Sequence, residues 1–401
     1  MWSFILPNIL LVLPLRVTGA EPNLNVEAQA HNGLRLWLRH FDRVTLACLR
    51  VAKSREPELP MSTIESADRL AFVGLPEAWQ PHTFFSKLPA VSKVLSAEID
   101  RADYLLFGIG GLWGDWPSVA ALIAARKQRP FAVWTDRVES NAHHMRANNK
   151  RGVARAYATA TASLMGPYER MIIRKADLGL FHGADCYGAY SKHCKSSHLV
   201  HDIHIDIDKH ISEADLQHRL NTRSGPLRIA YVGKAEPEKG TIDWVQAIAS
   251  ASRETEIEAT WFGLGSDLPE AQQLSSALDA PIRFAGRVPH SELIDSLKTF
   301  DAFVFCHKTL ESPRCLIEAL ACGLPIVGYR SQYPSDLLKD HDGGLLVEKH
   351  DPDSLASVIV SLSSIGKLRA LSVEARLAAA DLTDERVFAH RSRLILGMRS
   401  R

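Results

Sequence analysis

The sequence of 401 residues lacks an excess of charge of either sign, with 47 Lys and Arg residues against 46 Asp and Glu residues. With no global basic field, a nucleic-acid partner is not indicated. Cysteine is scarce as well, and none of the six cysteines forms a C-x-x-C pair. We therefore expect reduced thiols inside the core of a cytoplasmic protein.

Long hydrophobic runs are also missing. The apolar stretch from Phe4 to Val17 is too short for a membrane span, and Pro7 and Pro14 interrupt it. No Lys or Arg precedes this stretch, as a signal peptide would require, although Thr18-Gly19-Ala20 resembles a cleavage site. We interpret it as a first β-strand, with a secretory or anchoring segment as the alternative.

A dinucleotide-binding fingerprint is absent too. Glycines follow the predicted strand Tyr104–Phe107, but Trp113 stands where the third glycine of G-x-G-x-x-G should be. This absence disfavours a nicotinamide-dependent oxidoreductase. A ligand-binding loop and a plain turn both remain open for this segment.

The most informative stretch that is present runs from Phe303 to Tyr329. It begins with a buried strand, passes through a polar loop, and continues as a helix for which Ser312 is the predicted N-cap and Gly323 the stop. A second strand follows, so the stretch is a βαβ unit. Its loop joins the carboxyl end of a strand to a helix N-terminus, which favours anion binding, and Glu311 and Glu318 flank this turn.

Glycine follows three successive predicted strands of the C-terminal half, as Gly233, Gly263 and Gly286. Because parallel strands end at the same edge of a sheet, these loops should lie together. The first loop also contains Lys234 and Lys239 before a helix, an arrangement that suits a pyrophosphate. An exposed charged turn is the alternative for this loop.

Three features of the N-terminal half allow two interpretations each. Asp136, which ends the predicted strand Phe131–Thr135, marks either a cleft or a helix N-cap. The basic residues that flank a long predicted helix at 153–175 either contact anionic lipid or belong to a solvated helix face. In the stretch 201–208, His and Asp residues alternate with Ile, which favours a half-exposed strand over a metal site.

The alternation of strands and helices occurs in two halves, and 401 residues suffice for two cores. We predict an α/β fold of two doubly wound, Rossmann-like domains. The predicted segments are an N-terminal domain (1–210), a linker (211–226), a C-terminal domain (227–381) and a helix (382–401) that packs back toward the N-terminal domain.

Roughly residues 227–348 resemble the retaining glycosyltransferases of family 4, through the segments YVGKAEPEKG, FGLG, IRFAGRVPHSEL and ESPRCLIEALACGLPIVGY. The first half matches only in general pattern. The resemblance implies a GT-B architecture, in which two Rossmann-like domains face a cleft. It also implies transfer of a sugar from a nucleotide-sugar donor to an acceptor hydroxyl with retention of configuration, the donor lying mostly on the C-terminal domain.

The resemblance also assigns roles by position. Glu318 matches the acid that holds the donor ribose, and Glu311 the acid that addresses the donor sugar. Lys239 matches the phosphate-binding lysine, whereas Lys234 stands where the family usually has arginine, so that a point charge replaces a bidentate fork. Gly19 falls in the loop after strand one that commonly faces the donor phosphates. Gly263, Arg287 and Arg314 complete the expected donor-binding set.

One departure from the family concerns the spacing of the two acids. The family usually has seven residues between them, but Glu311 and Glu318 have six. Ser312-Pro313-Arg314-Cys315 replaces the family's glycine-phenylalanine-glycine segment, which makes Arg314 a candidate for an added phosphate contact. Glu311, Lys239, Lys234 and Asp136 form the predicted catalytic set, with Asp136 and His143 as candidates for orienting the acceptor.

We expect no cofactor and no required metal, because no D-x-D motif occurs in a nucleotide-sugar context and lysines can carry the charge. The donor is expected to be linked to UDP or GDP. By analogy with bacterial relatives, the setting would be synthesis of surface polysaccharide or glycolipid on a glycan or lipid-linked acceptor, in the cytoplasm or peripherally at the inner membrane face. The alternatives are a non-catalytic sugar-nucleotide or glycan-binding protein, or another GT-B enzyme such as an epimerase or phosphorylase.

Overall fold

The computed structural model describes residues 7–54 and 58–398, so the first three residues of the signal-like stretch that begins at Phe4 lie outside it. The chain divides into two compact units. The first unit extends to His204 and also includes the chain from Asp384 onward, and the second unit extends from Ile205 to Thr383.

The first unit is an α/β layer structure around a mainly parallel sheet. Its strands are β1 (Asn8–Ala20), β2 (Asn23–Glu27), β3 (Arg43–Arg50), β4 (Glu58–Pro60), β5 (Leu70–Leu75), β6 (Tyr104–Gly108), β7 (Ala132–Thr135), β8 (Leu178–His182) and β9 (Ser197–Val200). Its helices are α1 (Ala28–Trp37), α2 (Pro81–Arg101), α3 (Trp116–Arg126), α4 (Glu139–Asn148), α5 (Gly152–Ile173) and α6 (Gly183–Tyr190).

Parallel pairing runs through this sheet in the order β5-β3-β1-β6-β7-β8-β9. The segment predicted as strand one lies in β1, whose residues Ile9 to Val12 are fully buried between β3 and β6. A buried central strand of this kind consists of consecutive apolar residues, which explains its resemblance to a signal peptide.

The prediction of a loop directly after strand one is wrong. Beyond a register shift between Val12 and Arg16, β1 continues to Ala20 and forms an antiparallel hairpin with β2. Gly19 lies at the end of this hairpin with a φ of 85°, and a Cβ there would approach the Asn23 carbonyl oxygen to 2.2 Å. The turn therefore requires glycine for steric reasons.

The second unit contains a parallel sheet and the helices around it. Its strands are β10 (Leu227–Val232), β11 (Ile257–Phe262), β12 (Ile282–Gly286), β13 (Ala302–Phe305), β14 (Ile326–Tyr329) and β15 (Gly344–Val347). Its helices are α7 (Glu213–Thr222), α8 (Thr241–Ala251), α9 (Leu268–Ala277), α10 (His290–Leu297), α11 (Arg314–Ala321), α12 (Gln332–Leu337), α13 (Pro352–Ser361) and α14 (Ile365–Ala378), after which α15 (Asp384–Leu396) returns to the first unit.

The strands of this second sheet pair in the order β12-β11-β10-β13-β14-β15, all in parallel. The order reverses direction beside β10, which places a topological switch point between β10 and β13. The predicted βαβ unit corresponds to β13, α11 and β14. Aromatic residues fill the core beneath, with the rings of Tyr231 and Trp261 4.0 Å apart.

The passage between the units differs from the sequence expectation. The alternating stretch 201–208, predicted as a half-exposed strand, contains no strand. The expected alternation of burial is also broken, because Asp202 is buried next to Ile203 and pairs with Arg391 of α15 at 3.0 Å. The stretch 211–226, predicted as a linker, contains α7, which buries Leu216 and Leu220 within the second unit.

Helix α15 packs within the first unit, where the ring of Phe388 lies 5.4 Å from that of Trp37 in an edge-on arrangement. Among the described residues, no single helix is long and apolar enough to cross a bilayer. Helices α13 and α14 satisfy the length and composition criteria only as a pair, bent by 102° at the break between them.

Candidate functional site

The loops that follow β10, β11 and β12 are joined by backbone hydrogen bonds at the carboxyl edge of the second sheet. The amide of Gly233 donates to Phe262 O at 2.9 Å, and the amide of Gly263 donates to Gly286 O at 2.7 Å. Gly263 has a φ of 141°, and a Cβ there would lie 2.0 Å from Gly233 O. The predicted grouping of these glycine loops is therefore present, and Gly263 is required for the close approach of two backbones.

The two lysines of the first of these loops differ in their exposure and in their partners. After β10 the chain makes a short 3₁₀ turn, Pro237–Lys239, and passes through Gly240, whose φ is 65°, into α8. Lys234 is exposed, and its ammonium has no partner among the described residues. Lys239 is largely buried and places its Nζ 2.5 Å from Glu311 Oε2.

Glu311 lies in the loop between β13 and α11 and is 5% exposed. Its ion pair with Lys239 joins this loop to the one that follows β10, on the two sides of the topological switch point. The amide of Lys308 reinforces the connection by donating to Glu238 O at 2.8 Å. Two residues that the sequence placed at one sheet edge are therefore in direct contact.

Glu318, the second acid, lies on α11 and is 3% exposed. His290, the first residue of α10, places its Nε2 2.9 Å from Glu318 Oε1. Lys239, Glu311 and Glu318 all act electrostatically on the buried thiol of Cys315, so the three charged groups surround the first turn of α11. His290 was not among the predicted site residues, because a lone histidine at a helix start carries no distinguishing sequence signal.

Two buried hydroxyl groups in the same loop lack partners. The side-chain oxygens of Thr309 and Ser312 have no hydrogen-bond partner among the described residues, although both residues are 4% exposed. The predicted N-cap role of Ser312 is wrong, because Pro313 occupies the cap position and no side chain caps α11. Since an unsatisfied buried hydroxyl costs free energy, the loop has hydrogen-bonding capacity that a bound ligand could satisfy.

The remaining predicted residues of the second unit lie around this centre. Arg314 is the first residue of α11 and is partly buried. Arg287 is exposed and directly follows Gly286 at the end of β12. Arg287 in its loop and Arg314 at the start of α11 therefore both follow strands at the carboxyl edge of the sheet, where Lys239 and Glu311 also lie.

The shifted pKa values of His307 and Cys315 limit the acid–base and nucleophilic chemistry that these two side chains can perform. Burial, assisted by the positive charge of Lys239, lowers the pKa of His307 to about 3, so this histidine is neutral near pH 7. Its Nε2 lies 2.9 Å from the Tyr231 hydroxyl. Burial raises the pKa of the Cys315 thiol above its usual range, which keeps the thiol protonated and unreactive as a nucleophile.

The predicted site residues of the first unit lie on separate elements of that unit. Gly19 lies in the β1–β2 hairpin, and His143 lies on α4. Asp136 follows β7, where it is exposed, and its carboxylate has no partner among the described residues. Burial raises the pKa of nearby Glu139, although the Arg137 guanidinium, 2.6 Å away, opposes the shift.

Two further acids of the first unit have strongly raised pKa values and were not predicted. Burial raises the pKa of Asp115 to about 6, although this carboxylate accepts hydrogen bonds from backbone amides as the N-cap of α3. Burial raises the pKa of Glu169 to about 7, and the Tyr190 hydroxyl donates to its Oε2 at 2.7 Å. Burial is a three-dimensional property, so the sequence pattern contains no signal for these shifts.

A small cavity of about 40 Å³ adjoins Asp115, with room for ordered water rather than for a sugar ring. Apolar groups and the glycines after β6 line most of it: Leu13, Pro14, Leu49, Leu75, Trp79, Gly110, Gly111, Gly114, Trp116 and Pro117. In the described parts of the chain, no group of three or more His, Cys, Asp or Glu side chains is arranged to hold a metal ion.

Comparison with known proteins finds a family that resembles the second unit. Residues 212–375 match the family described as Glycosyl transferases group 1. The matched region lies within the second unit. The chain is 30% identical over 123 residues to a GDP-mannose-dependent alpha-mannosyltransferase of Corynebacterium glutamicum, an alignment that covers 31% of this chain and 28% of the relative.

A similar match, 28% identical over 149 residues, is to a GDP-mannose-dependent alpha-mannosyltransferase of Mycobacterium tuberculosis, covering 36% of this chain and 37% of the relative. The alignments to the curated relatives thus span between about a quarter and two fifths of their length. The sequence similarity to these relatives therefore covers only part of their length.

Solved structures extend the comparison to nearly the whole chain. Sucrose-phosphate synthase from Thermosynechococcus elongatus superposes with a TM-score of 0.70 at 15% identity, covering 97% of this chain and 98% of the other. Anabaena HepE in complex with UDP-glucose gives 0.66 at 15% identity, covering 97% and 99%. WaaG, a glycosyltransferase involved in lipopolysaccharide biosynthesis, gives 0.66 at 13%, covering 97% and 100%. The chain has the GT-B fold.

Proposed function

We propose that this protein is a retaining glycosyltransferase that moves a hexose from a nucleotide-sugar donor to an acceptor hydroxyl. The observation that carries the proposal is the arrangement around α11, where the Lys239–Glu311 and His290–Glu318 contacts border one turn at the edge of a parallel sheet. All four residues lie within residues 212–375, the region that matches the group 1 family. Its relatives include enzymes that are described as dependent on GDP-mannose.

We assign the donor diphosphate to the Lys239 side of this turn. A phosphate oxygen would compete with Glu311 for the Lys239 ammonium and would also accept from amides at the α11 N-terminus. Lys234, which is exposed and unpaired, would supply a second charge. The hydroxyls of Thr309 and Ser312 would gain the partners that they lack, and Glu311 would then accept from a hydroxyl of the donor sugar.

Glu318 is the proposed ribose ligand. Its carboxylate can accept from the two ribose hydroxyls, and its contact with His290 Nε2 fixes one of the two oxygens in place. A carboxylate held in this way is preorganised, so less rotational freedom is lost when the nucleoside binds.

The proposed reaction is a front-face displacement. The bond between the anomeric carbon and the donor phosphate oxygen breaks, and the acceptor oxygen bonds to the same face of that carbon. The acceptor proton passes to the leaving phosphate oxygen, so no protein nucleophile is required. Lys239 and Lys234 stabilise the negative charge that develops on the departing nucleoside diphosphate. Asp136 and His143 remain our candidates for orienting the acceptor.

We propose UDP or GDP as the donor nucleotide, because the relatives depend on GDP-mannose and the similar structure of HepE contains UDP-glucose. The similarity to WaaG supports a role in making surface polysaccharide or glycolipid. We also propose that no divalent metal is needed. Turnover should therefore be unchanged by EDTA, and restoration of lost activity by Mg²⁺ or Mn²⁺ would contradict this part of the proposal.

A thermal-denaturation series of the full chain with GDP-mannose, UDP-glucose and an ADP-sugar tests donor binding, since a ligand that binds only the folded state raises the melting temperature. We expect one donor class to raise it. Release of the sugar to an acceptor, followed by NMR of the anomeric proton, then tests transfer with retention. Binding without turnover would instead indicate a non-catalytic sugar-nucleotide-binding protein, and binding of none would contradict the proposal.

A further inference from the structure

The junction of α4 and α5 is unusually exposed. Every residue from Asn148 to Tyr157 is exposed, a segment that we name the α5 tip. It contains two apolar side chains, Val153, which is 87% exposed, and Tyr157, which is 53% exposed. Large apolar groups this exposed in consecutive turns are a liability in water unless another surface covers them.

The charges around the α5 tip are all of one sign. No Asp or Glu occurs between Ser140 and Tyr168, whereas the tip itself carries Lys150, Arg151 and Arg155. None of these three cations has a carboxylate partner among the described residues. Cations at a helix N-terminus oppose the helix dipole, so helix stability does not explain their position.

An exposed apolar stripe continues from the tip along α5. Val153, Tyr157, Leu164 and Met171 follow one another at intervals of four, seven and seven residues, which places them on one side of a helix. Leu164 is 60% exposed and Met171 is 37% exposed. Arg174 and Lys175, both exposed, follow at the other end of the helix. The stripe is therefore flanked by cations at both ends.

We propose that the α5 tip and stripe bind the surface of an anionic lipid bilayer. Apolar side chains can enter the boundary between headgroups and acyl chains, while lysine and arginine pair with anionic headgroups. A second copy of this chain would bring like charges together. A nucleic acid would neutralise the cations but would leave the apolar stripe uncovered. The combination of the two features selects the lipid surface.

This surface is separate from the donor site, since α5 belongs to the first unit and Lys239 and Glu318 to the second. If the proposed transferase activity is correct, such binding would keep the enzyme beside a lipid-linked acceptor. The lipid proposal can nevertheless be tested without any sugar donor, so failure of one proposal does not decide the other.

The test is co-sedimentation of the full-length protein with vesicles of phosphatidylcholine alone or mixed with phosphatidylglycerol. The key variant combines Lys150→Gln, Arg151→Gln and Arg155→Gln. A matched control combines Lys93→Gln, Arg253→Gln and Arg283→Gln, which removes the same charge from other exposed positions. A third variant, Val153→Ser with Leu164→Ser, tests the stripe. Melting temperatures establish that all the variants fold.

We expect the wild type and the control to bind the anionic vesicles, with binding reduced by salt. The tip variant should partition at least about tenfold less, since each cation near such a surface contributes roughly a fivefold factor. The stripe variant should also bind less. Equal binding by the tip variant and the control would overturn the proposal, as would no binding by the wild type. It would also be overturned if the stripe served only self-association, seen as a concentration-dependent dimer that the stripe variant abolishes.

Discussion

The two units have similar sheets but hold their polar residues differently. In the second unit, two buried carboxylates contact side chains from other elements, Glu311 the ammonium of Lys239 and Glu318 the imidazole of His290. In the first unit, burial raises the pKa of Asp115 to about 6 and that of Glu169 to about 7, so Glu169 is partly protonated near neutral pH. The comparison indicates that the second unit sets its buried carboxylates beside Lys239 and His290, whereas the first unit buries Asp115 and Glu169 against the hydroxyls of Ser118 and Tyr190.

Among the substitutions that test this comparison, we expect Lys239→Ala to have the largest effect. We expect kcat/KM to fall by about a hundredfold, because loss of one preorganised charge at a developing anion typically costs that much. Steady-state release of nucleoside diphosphate measures the effect. Lys195→Ala is the control, since it removes an exposed lysine that pairs with Asp177 in the first unit and should leave activity unchanged. Full activity of a folded Lys239→Ala protein would refute the assignment.

The second test concerns Glu318. Glu318→Gln should raise the KM for the donor about tenfold and change kcat less, because a ribose contact is made in both the ground state and the transition state. Glu348→Gln is a suitable control, as its exposed carboxylate pairs with Arg330 at the surface. If kcat fell while KM stayed constant, Glu318 would act on the reacting bond instead of the ribose.

A third prediction concerns the backbone of the glycine loops. Gly263→Ala should lower the free energy of unfolding by about 1–3 kcal/mol, because the new Cβ would collide with Gly233 O and the backbone conformation disfavours L side chains. Gly366→Ala in α14, where a Cβ would meet nothing within 4 Å, should be neutral or slightly stabilising. Urea denaturation compares the two. Equal stability of the two variants would show that the loops tolerate side chains.

The fourth prediction concerns how Glu169 in the first unit makes the stability of the protein depend on pH. The pKa of Glu169 is raised from 4.5 to about 7 on folding, so the folded state binds more protons than the unfolded state between these values. Stability from this group is therefore complete below about pH 4.5 and decreases as the pH rises through 7. Glu169→Gln should match the wild type near pH 5 and should exceed it by roughly 2 kcal/mol near pH 8.

Denaturation curves at the two pH values measure this effect. Glu258→Gln, which changes an exposed carboxylate of β11, controls for the loss of one charge. A Glu169→Gln protein that is less stable than the wild type at pH 8 would mean that Glu169 is ionised and paired in the folded state. The proposed contrast between the units would then fail.

Parts of this structure followed directly from the sequence. The βαβ unit at 303–329 was predicted because consecutive apolar strand residues, a helix-compatible segment and Gly323 agree with one another. The contact between Lys239 and Glu311 was not predicted as such, but both residues were assigned to one sheet edge. Parallel strands make that edge a geometric consequence of strand order.

Other parts could not be predicted for identifiable physical reasons. Helix α2 was not recognised, and it contains Pro89 in its interior. The β1–β2 hairpin was predicted as a loop, because glycine at position 19 is typical of turns and does not indicate that paired strands flank it. His290 could not be identified because its partner, Glu318, is 28 residues away and the contact depends on how α10 and α11 pack.

The central claim is that Lys239 and Glu318 belong to one nucleotide-binding site. Isothermal titration of GDP and UDP into the wild type, Lys239→Ala and Glu318→Gln tests it most directly. We predict that one nucleotide binds the wild type with one site per chain and that both variants bind it at least about tenfold more weakly, equivalent to 1.4 kcal/mol. Unchanged affinity in both folded variants, or no binding of either nucleotide to the wild type, would contradict the account.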